Sequence, residues 1–200
     1  MIRLFTALCK TILKDLSDKD VFQNETDVFR HYDKHCPSCG AVGKLTPYGS
    51  YSRGFVYYQD EKVIDFRINP IRFKCGSCDT THAILPDILI PYSPYSIRFK
   101  VAVLIAYYRK TATVAAICEH FCIAISTLYA WKKRLLEHKE LMLNALANNK
   151  ESALTFLRGL FGCDKISDLL ADFFQKHAFS FLQNRHVTTT RVKLESNLLN

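Results

Sequence analysis

Cys36-Pro37-Ser38-Cys39-Gly40 and Cys75-Gly76-Ser77-Cys78 are two C-x-x-C pairs, with 35 residues between the second and third cysteines. Two residues between the cysteines let both sulfurs of one tight turn face a common point. Two such turns, joined by a hairpin, complete the tetrahedral thiolate shell that Zn²⁺ accepts at about 2.3 Å. Gly40 and Gly76 give the backbone freedom beside each turn. The expected ligands of one structural Zn²⁺ are therefore Cys36, Cys39, Cys75 and Cys78. Four protein thiolates close the shell to water and substrate, so this metal is expected to stabilise and not to catalyse. A redox role is disfavoured, because neither pair sits at a strand-to-helix junction. His35 and His82 flank the pairs and are expected to pack against the metal turns or bond to them, with ligation the lesser alternative.

Between the cysteine pairs the chain reads as short strands. Tyr51–Tyr58 and Lys62–Lys74 are rich in Val, Ile, Phe and Tyr, and Gln59–Glu61 is placed to close a hairpin. Pro70 inside the second run predicts a bulge or an edge strand. Pro86–Pro94, with three prolines, predicts a linker or a rigid turn. Upstream, Phe5, Leu8, Ile12, Leu13 and Leu16 recur at helical spacing. Downstream, the pattern is helical from Ile97 to about Ala147, then from about Lys150 to Leu182 with a division near Gly159–Gly162. The tail from Gln183 is polar and is expected to fray. The expected fold is α+β: a helical segment over 1–30, a small β zinc ribbon over 31–95, a helical domain over 96–147, and C-terminal helices with a tail over 148–200.

Composition narrows the function. Hydrophobic residues make up 48% of the 200, enough for real cores. No apolar stretch reaches the 18 residues of a membrane span, and the N-terminus lacks the form of a secretory signal. The expected location is the cytoplasm, in association with the nucleoid. In that reducing compartment eight cysteines read as metal ligands before disulfides. The net charge is +8, and residues 98–139 hold most of it, with eight basic against two acidic side chains. Such a local positive field favours a polyanionic partner.

That window contains the segment Thr113–Leu135. Ala116, Ile117, His120 and Phe121 are expected in a short first helix, with small Ala116 allowing close approach of its partner and Ile123 as a buried plug in the turn. Leu128, Trp131 and Leu135 then give a second helix one apolar face. A preceding helix over Ile97–Lys110 completes a three-helix unit. A recognition helix needs short polar groups for base edges and cations for phosphates. Ser126, Thr127 and Tyr129 meet the first need, and Lys132, Lys133 and Arg134 the second. Arg109 and Lys110, with Arg98 and Lys100, are further phosphate contacts expected from the flanking helix. Cys118 and Cys122 are read as small apolar residues, not as ligands.

Phe121–Arg134, FCIAISTLYAWKKR, resembles the transposase-type helix-turn-helix, in which a Leu-Gly-Val-Ser turn precedes a Ser-Thr-Val-Tyr-x-Trp helix. Cys122 here takes the usual glycine position and Ala124 the usual Ser N-cap. The cysteine segment, CPSCG and FKCGSCDTTHAILP, is similar to bacterial mobile-element proteins that carry an N-terminal zinc ribbon and a domain of unknown function. The likeness spans about residues 31–136 and implies recognition of element ends in duplex DNA. Transposases of this kind continue into a catalytic domain with three carboxylates on a mixed sheet, whereas the residues after Leu136 read as helices.

The leading expectation is thus a non-catalytic, zinc-containing protein that binds double-stranded DNA and is related to the targeting regions of transposases. The alternative is an interaction module that docks a separate transposase, a regulatory subunit or a second copy of itself. Phe156, Leu157, Leu160, Phe161, Leu169, Leu170, Phe173 and Phe174 are apolar enough for core or interface. Asp164, Asp168 and Asp172 are read as a solvated stripe before a nuclease centre. RNA stacking on Tyr51, Phe55, Tyr57 and Tyr58 is a minor reading, since such aromatics usually cover a ribbon's own core.

Overall fold

The computed structural model describes residues 2–4, 35–143 and 151–184. The fold is α+β, with strands first and helices after them. Strands β1 (Ile2–Leu4), β6 (Thr81–Pro86), β5 (Ile71–Cys75) and β2 (Leu45–Ser50) form one sheet in that spatial order. Strands β3 (Arg53–Gln59) and β4 (Lys62–Ile68) form a separate hairpin, inserted between β2 and β5. Five helices follow: α1 (Ile97–Arg109), α2 (Val114–His120), α3 (Ile125–Leu143), α4 (Ala153–Phe161) and α5 (Ile166–His177).

The hairpin closes through Asp60 and Glu61, both at positive φ (49° and 59°), with Gln59 paired to Lys62. Positive φ at both central residues matches the right-handed twist of the two strands, which is why a two-residue loop suffices. Pro70 does not make a bulge; it separates β4 from β5, and its carbonyl accepts from Tyr51 N–H at 3.3 Å. The register shift falls instead between Pro47 and Ser50 on the edge strand β2, where Gly49 takes φ +85°. An edge position loses no ladder bond to proline, and glycine reaches that φ without a Cβ clash.

At the N-terminus, Ile2–Leu4 is a strand parallel to β6, with Ile2 opposite Ile84, where the sequence pattern reads as helical. Three residues are too few to show a period, and their pairing is with residues some eighty positions away. The predicted helical positions Phe5, Leu8, Ile12, Leu13 and Leu16 lie outside the described residues, as does the tail beyond 184.

Pro86–Pro94 is no linker. Asp87, Ile88, Leu89 and Ile90 are each 1% exposed or less, and Ser167 Oγ donates to Asp87 Oδ2 at 2.8 Å. The Arg53 guanidinium donates to the carbonyls of Ile90 and Ser93, and Ile97 N–H to that of Ile88. One continuous core joins the hairpin (Phe55, Tyr57), this connector (Ile88–Ile90) and all five helices, out to Phe181 and Leu182. Among the described residues a second, small cluster in the four-stranded sheet holds Phe73 and Ile84, with Ile2, Leu45 and Ile71 against it.

The C-terminal apolar residues serve mainly that larger core: Phe156, Leu157, Leu160, Leu170 and Phe173 are buried, Phe161 and Phe174 half-buried, and Leu169 exposed. Helices α1, α2 and α4 start where side-chain oxygens cap them. Ser96, Thr113 and Ser152 accept from Phe99, Ala116 and Thr155 N–H at 3.0, 3.2 and 3.1 Å. No single helix among the described residues is long and apolar enough to cross a membrane.

Candidate functional site

Strand β5 carries Cys75 at its end, opposite Leu45 of β2, and this pairing brings the second cysteine pair to the first. The Sγ atoms of Cys36, Cys39, Cys75 and Cys78 all lie within 4.8 Å of one another, and none is in a disulfide. Cys36 to Cys78 is 3.6 Å and Cys39 to Cys75 is 3.7 Å. A tetrahedral shell with metal–sulfur bonds of about 2.3 Å has an edge near 3.8 Å, so these separations fit four thiolates around one ion. Among the described residues this is the one cluster of His, Cys, Asp or Glu compatible with a structural metal.

The turns are built for anionic sulfur. Ser38 N–H donates to Cys36 Sγ and Ser77 N–H to Cys75 Sγ, each at 3.4 Å, so the two pairs repeat one local geometry. The Thr80 hydroxyl, 3.0 Å from Cys78 Sγ, and then the Thr80 N–H hold the Cys78 thiol down to about 6. Backbone N–H groups of Cys78 and Ser77 lower Cys75. Cys39 is pulled down by the Ala41 N–H. Its contacts with Cys78, Cys36 and Cys75 and its desolvation outweigh that bond, and it is pushed up to about 12. Clustered thiols cannot all ionise without a cation, and binding one releases their protons.

His82 lies outside the metal-compatible group of four cysteines. Its Nε2 lies 3.3 Å from Cys36 Sγ, and burial lowers its pKa, so a neutral ring donating to a thiolate fits this contact. His35 is exposed and bridges to Val42.

The second site is a helical face. Between α2 and α3 the chain changes direction by 102° through four residues, Phe121–Ala124. Ile123 N–H bonds to Cys118 O at 2.9 Å and Cys122 N–H to Glu119 O at 3.1 Å, while Cys122 sits at φ +51°. This is the bond pattern of a Schellman cap, whose left-handed position is usually glycine. Replacing Cys122 with Gly is expected to stabilise the fold by up to about 1 kcal/mol by relieving the Cβ clash, and Cys122→Val to destabilise it. Denaturant midpoints at equal m-value check both.

Ile123, at 9% exposure, is the plug in this turn, and Leu128, Trp131 and Leu135 are buried. Ala116, expected at the helix contact, is exposed; Ile117, Cys118 and Phe121 are the buried residues of this segment instead. Cys118 is buried and Cys122 exposed, so the two do not share a site. Tyr58 of the hairpin bonds His120 Nε2 at 2.7 Å and packs on Phe121, and Phe55 and Tyr57 are buried. These aromatics line the protein's own core.

Of the expected polyanion contacts, Ser126, Tyr129, Lys133, Arg109 and Lys110 are exposed, and Thr127 and Lys132 half-buried. Arg134 is turned aside: its Nη1 bonds Glu137 Oε2 at 2.8 Å, and its side chain is 21% exposed. Lys100 is 1% exposed, its Nζ donating to Leu182 O at 3.2 Å and lying 5.2 Å from the Trp131 ring centre. Neither joins the outward cations. Sequence spacing contained a signal for Lys100, which falls three residues after Ile97 and four before Leu104 on the buried stripe of α1. Asp164, Asp168 and Asp172 are exposed, Asp172 paired with Lys176 at 2.7 Å, and they form no metal-compatible group.

These two sites lie together within one recognisable span. Residues 36–131 match the family described as a domain of unknown function, DUF6431. The DUF6431 match runs from the first cysteine of the tetrad to Trp131 of α3, and so includes all four sulfurs, the 102° turn and the start of the exposed helical face. Comparison with curated proteins and with solved structures finds no match.

Proposed function

We propose that this protein is a non-catalytic DNA-binding protein, in which α2 and α3 act as a helix-turn-helix and the cysteine tetrad as a structural zinc ribbon. The observation that carries the proposal is the outward face of α3. Behind it α2 crosses at 102°, within the roughly 90–120° of such motifs. On it, Ser126 and Thr127 open the helix and Tyr129 and Lys133 follow, while Leu128, Trp131 and Leu135 hold the other side in the core. Short polar groups at a helix start suit base edges in the major groove, and cations a turn or two later suit the flanking phosphates. Zinc suits a closed shell of four thiolates with no redox partner or open position. The sequence likeness to mobile-element proteins makes targeting of DNA ends the favoured biological role.

The test is duplex DNA binding by full-length, zinc-loaded protein across a salt series. If Arg109, Lys110, Lys132 and Lys133 each neutralise one phosphate, log affinity falls with log salt at a slope of about −3.6, or about a hundredfold between 50 and 200 mM. Lys133→Ala is expected to shallow that slope by about 1 on every sequence, and Ser126→Ala to change the preference between sequences at constant slope. Binding indifferent to salt, or no duplex binding at all, overturns the proposal.

A further inference from the structure

The half-buried cation Lys132 differs from its exposed neighbour Lys133 in what surrounds it. Its Nζ lies 5.2 Å from the ring centre of Tyr107, on α1, and 5.7 Å from that of Tyr129, one turn earlier on α3. The two rings meet edge to face at 6.3 Å, and Tyr107 also packs against Tyr108 at 5.1 Å. Two aromatic faces from different helices thus hold one ammonium. No carboxylate takes part in an ion pair with it among the described residues. The Tyr107 side chain beside the ammonium raises the Lys132 pKa, so the charge is kept.

We propose that Tyr107 is a positioning residue for DNA binding, one that with Tyr129 fixes Lys132 in the place where it meets a backbone phosphate. The inference rests on the DNA-binding reading above and assigns α1 a part in it beyond Arg109 and Lys110. An ordinary surface lysine loses most of its rotamer freedom when it captures a phosphate. One held over two rings has lost much of it on folding, so less is lost on binding. A ring-bound ammonium still has hydrogens to offer, because an aromatic face uses its charge and not all its donors.

The test compares Tyr107→Leu, Tyr107→Phe and Lys132→Gln, alone and combined, by duplex binding of the zinc-loaded full chain across salt. Tyr107→Leu is expected to weaken binding about fivefold and Tyr107→Phe about twofold, both at unchanged salt slope, since the charge count is the same. Lys132→Gln shallows the slope by about 1, and in that background Tyr107→Leu has no further effect. A readout without DNA accompanies these: the NMR signal of the Lys132 ammonium is expected to be shifted upfield by the rings in the parent protein and to move toward the free-lysine position in Tyr107→Leu. Equal losses for Tyr107→Leu with and without Lys132, or an unmoved ammonium signal, overturn the proposal. Wild-type protein that fails to bind duplex DNA overturns the function itself, a separate outcome. Should Tyr107→Leu fail to fold, the Tyr107→Phe arm and its coupling to Lys132→Gln decide alone.

Discussion

Replacing Cys75 with serine is expected to strip this protein of its metal and to unfold the four-stranded sheet while the helices persist. Cys75 is fully buried, and its turn is bound to both neighbouring segments, through Cys75 N–H to Thr80 O at 3.0 Å and Gly76 N–H to Lys44 O at 2.9 Å. Among the described residues, Leu85 of β6 is the sheet's buried apolar link to the larger core. The sheet's own apolar cluster, among the described residues, contains two buried side chains, Phe73 and Ile84, whereas the hairpin and helices share a much larger core. Burying two such side chains contributes roughly 3–6 kcal/mol. Apparent zinc-binding energies of about 10–16 kcal/mol in small fingers exceed that contribution.

Metal analysis is expected to give one zinc per chain for the parent protein and none for Cys75→Ser. Amide spectra should collapse for β2, β5 and β6, while helical circular dichroism remains. Chelator at neutral pH, or acid that protonates the thiolates, should produce the same state. Exposed Cys122, replaced by serine, should leave the metal in place. A Cys75→Ser protein with full zinc and an intact sheet spectrum would falsify the metal assignment.

The second large effect concerns Lys100, and its sign depends on pH. Burial, with Arg134 and Arg53 nearby, lowers its pKa from 10.5 to about 7. Between those values the unfolded chain holds a proton that the folded chain lacks, so stability rises with pH through the window from 7 to 10.5. The stabilisation is complete above 10.5 and is lost as pH falls to about 7. A shift of this size corresponds to several kcal/mol at most. Lys100→Met keeps the volume and removes the charge, but leaves the Leu182 carbonyl without its donor, at a cost of about 1–3 kcal/mol.

At pH 6 relief from burying a charge outweighs the lost hydrogen bond, and the variant is expected to be more stable than the parent by about 2 kcal/mol. Near pH 10.5 only the lost hydrogen bond remains, and the order reverses. Urea unfolding of both proteins from pH 6 to 10.5 gives the difference directly, with the tyrosine titrations common to both. A stability difference that stays constant over that range would count against a neutral buried amine.

Much of this architecture is written in short-range patterns. Two identical C-x-x-C spacings predict the tetrad, and Leu128, Trp131 and Leu135 predict which side of α3 is buried. The departures at Lys100 and Arg134 share a cause: side chains assigned by chemical type where helix position decides. Lys100 and Arg134 read as surface cations because they are charged, yet both lie beside apolar stripes. His138, fully buried and accepting from Leu182 N–H at 2.9 Å, continues the stripe of Trp131 and Leu135 in the same way. Tyr107 is silent in the sequence for another reason. Its significance is a meeting of two helices, which no spacing within either one records. The strand at Ile2–Leu4 is likewise non-local, visible only once β6 offers its edge.

The shared core also sets how this protein can be taken apart or recombined. A graft that carried only residues 36–131 into another host chain would bring Leu104, Leu128 and Trp131 without Phe156, Leu157, Leu160 and Phe181, which complete the same packed interior. Such a chimera would present a greasy open flank and demand a substitute cover from its new neighbour, so transplanting the proposed DNA-reading face means transplanting its lid as well.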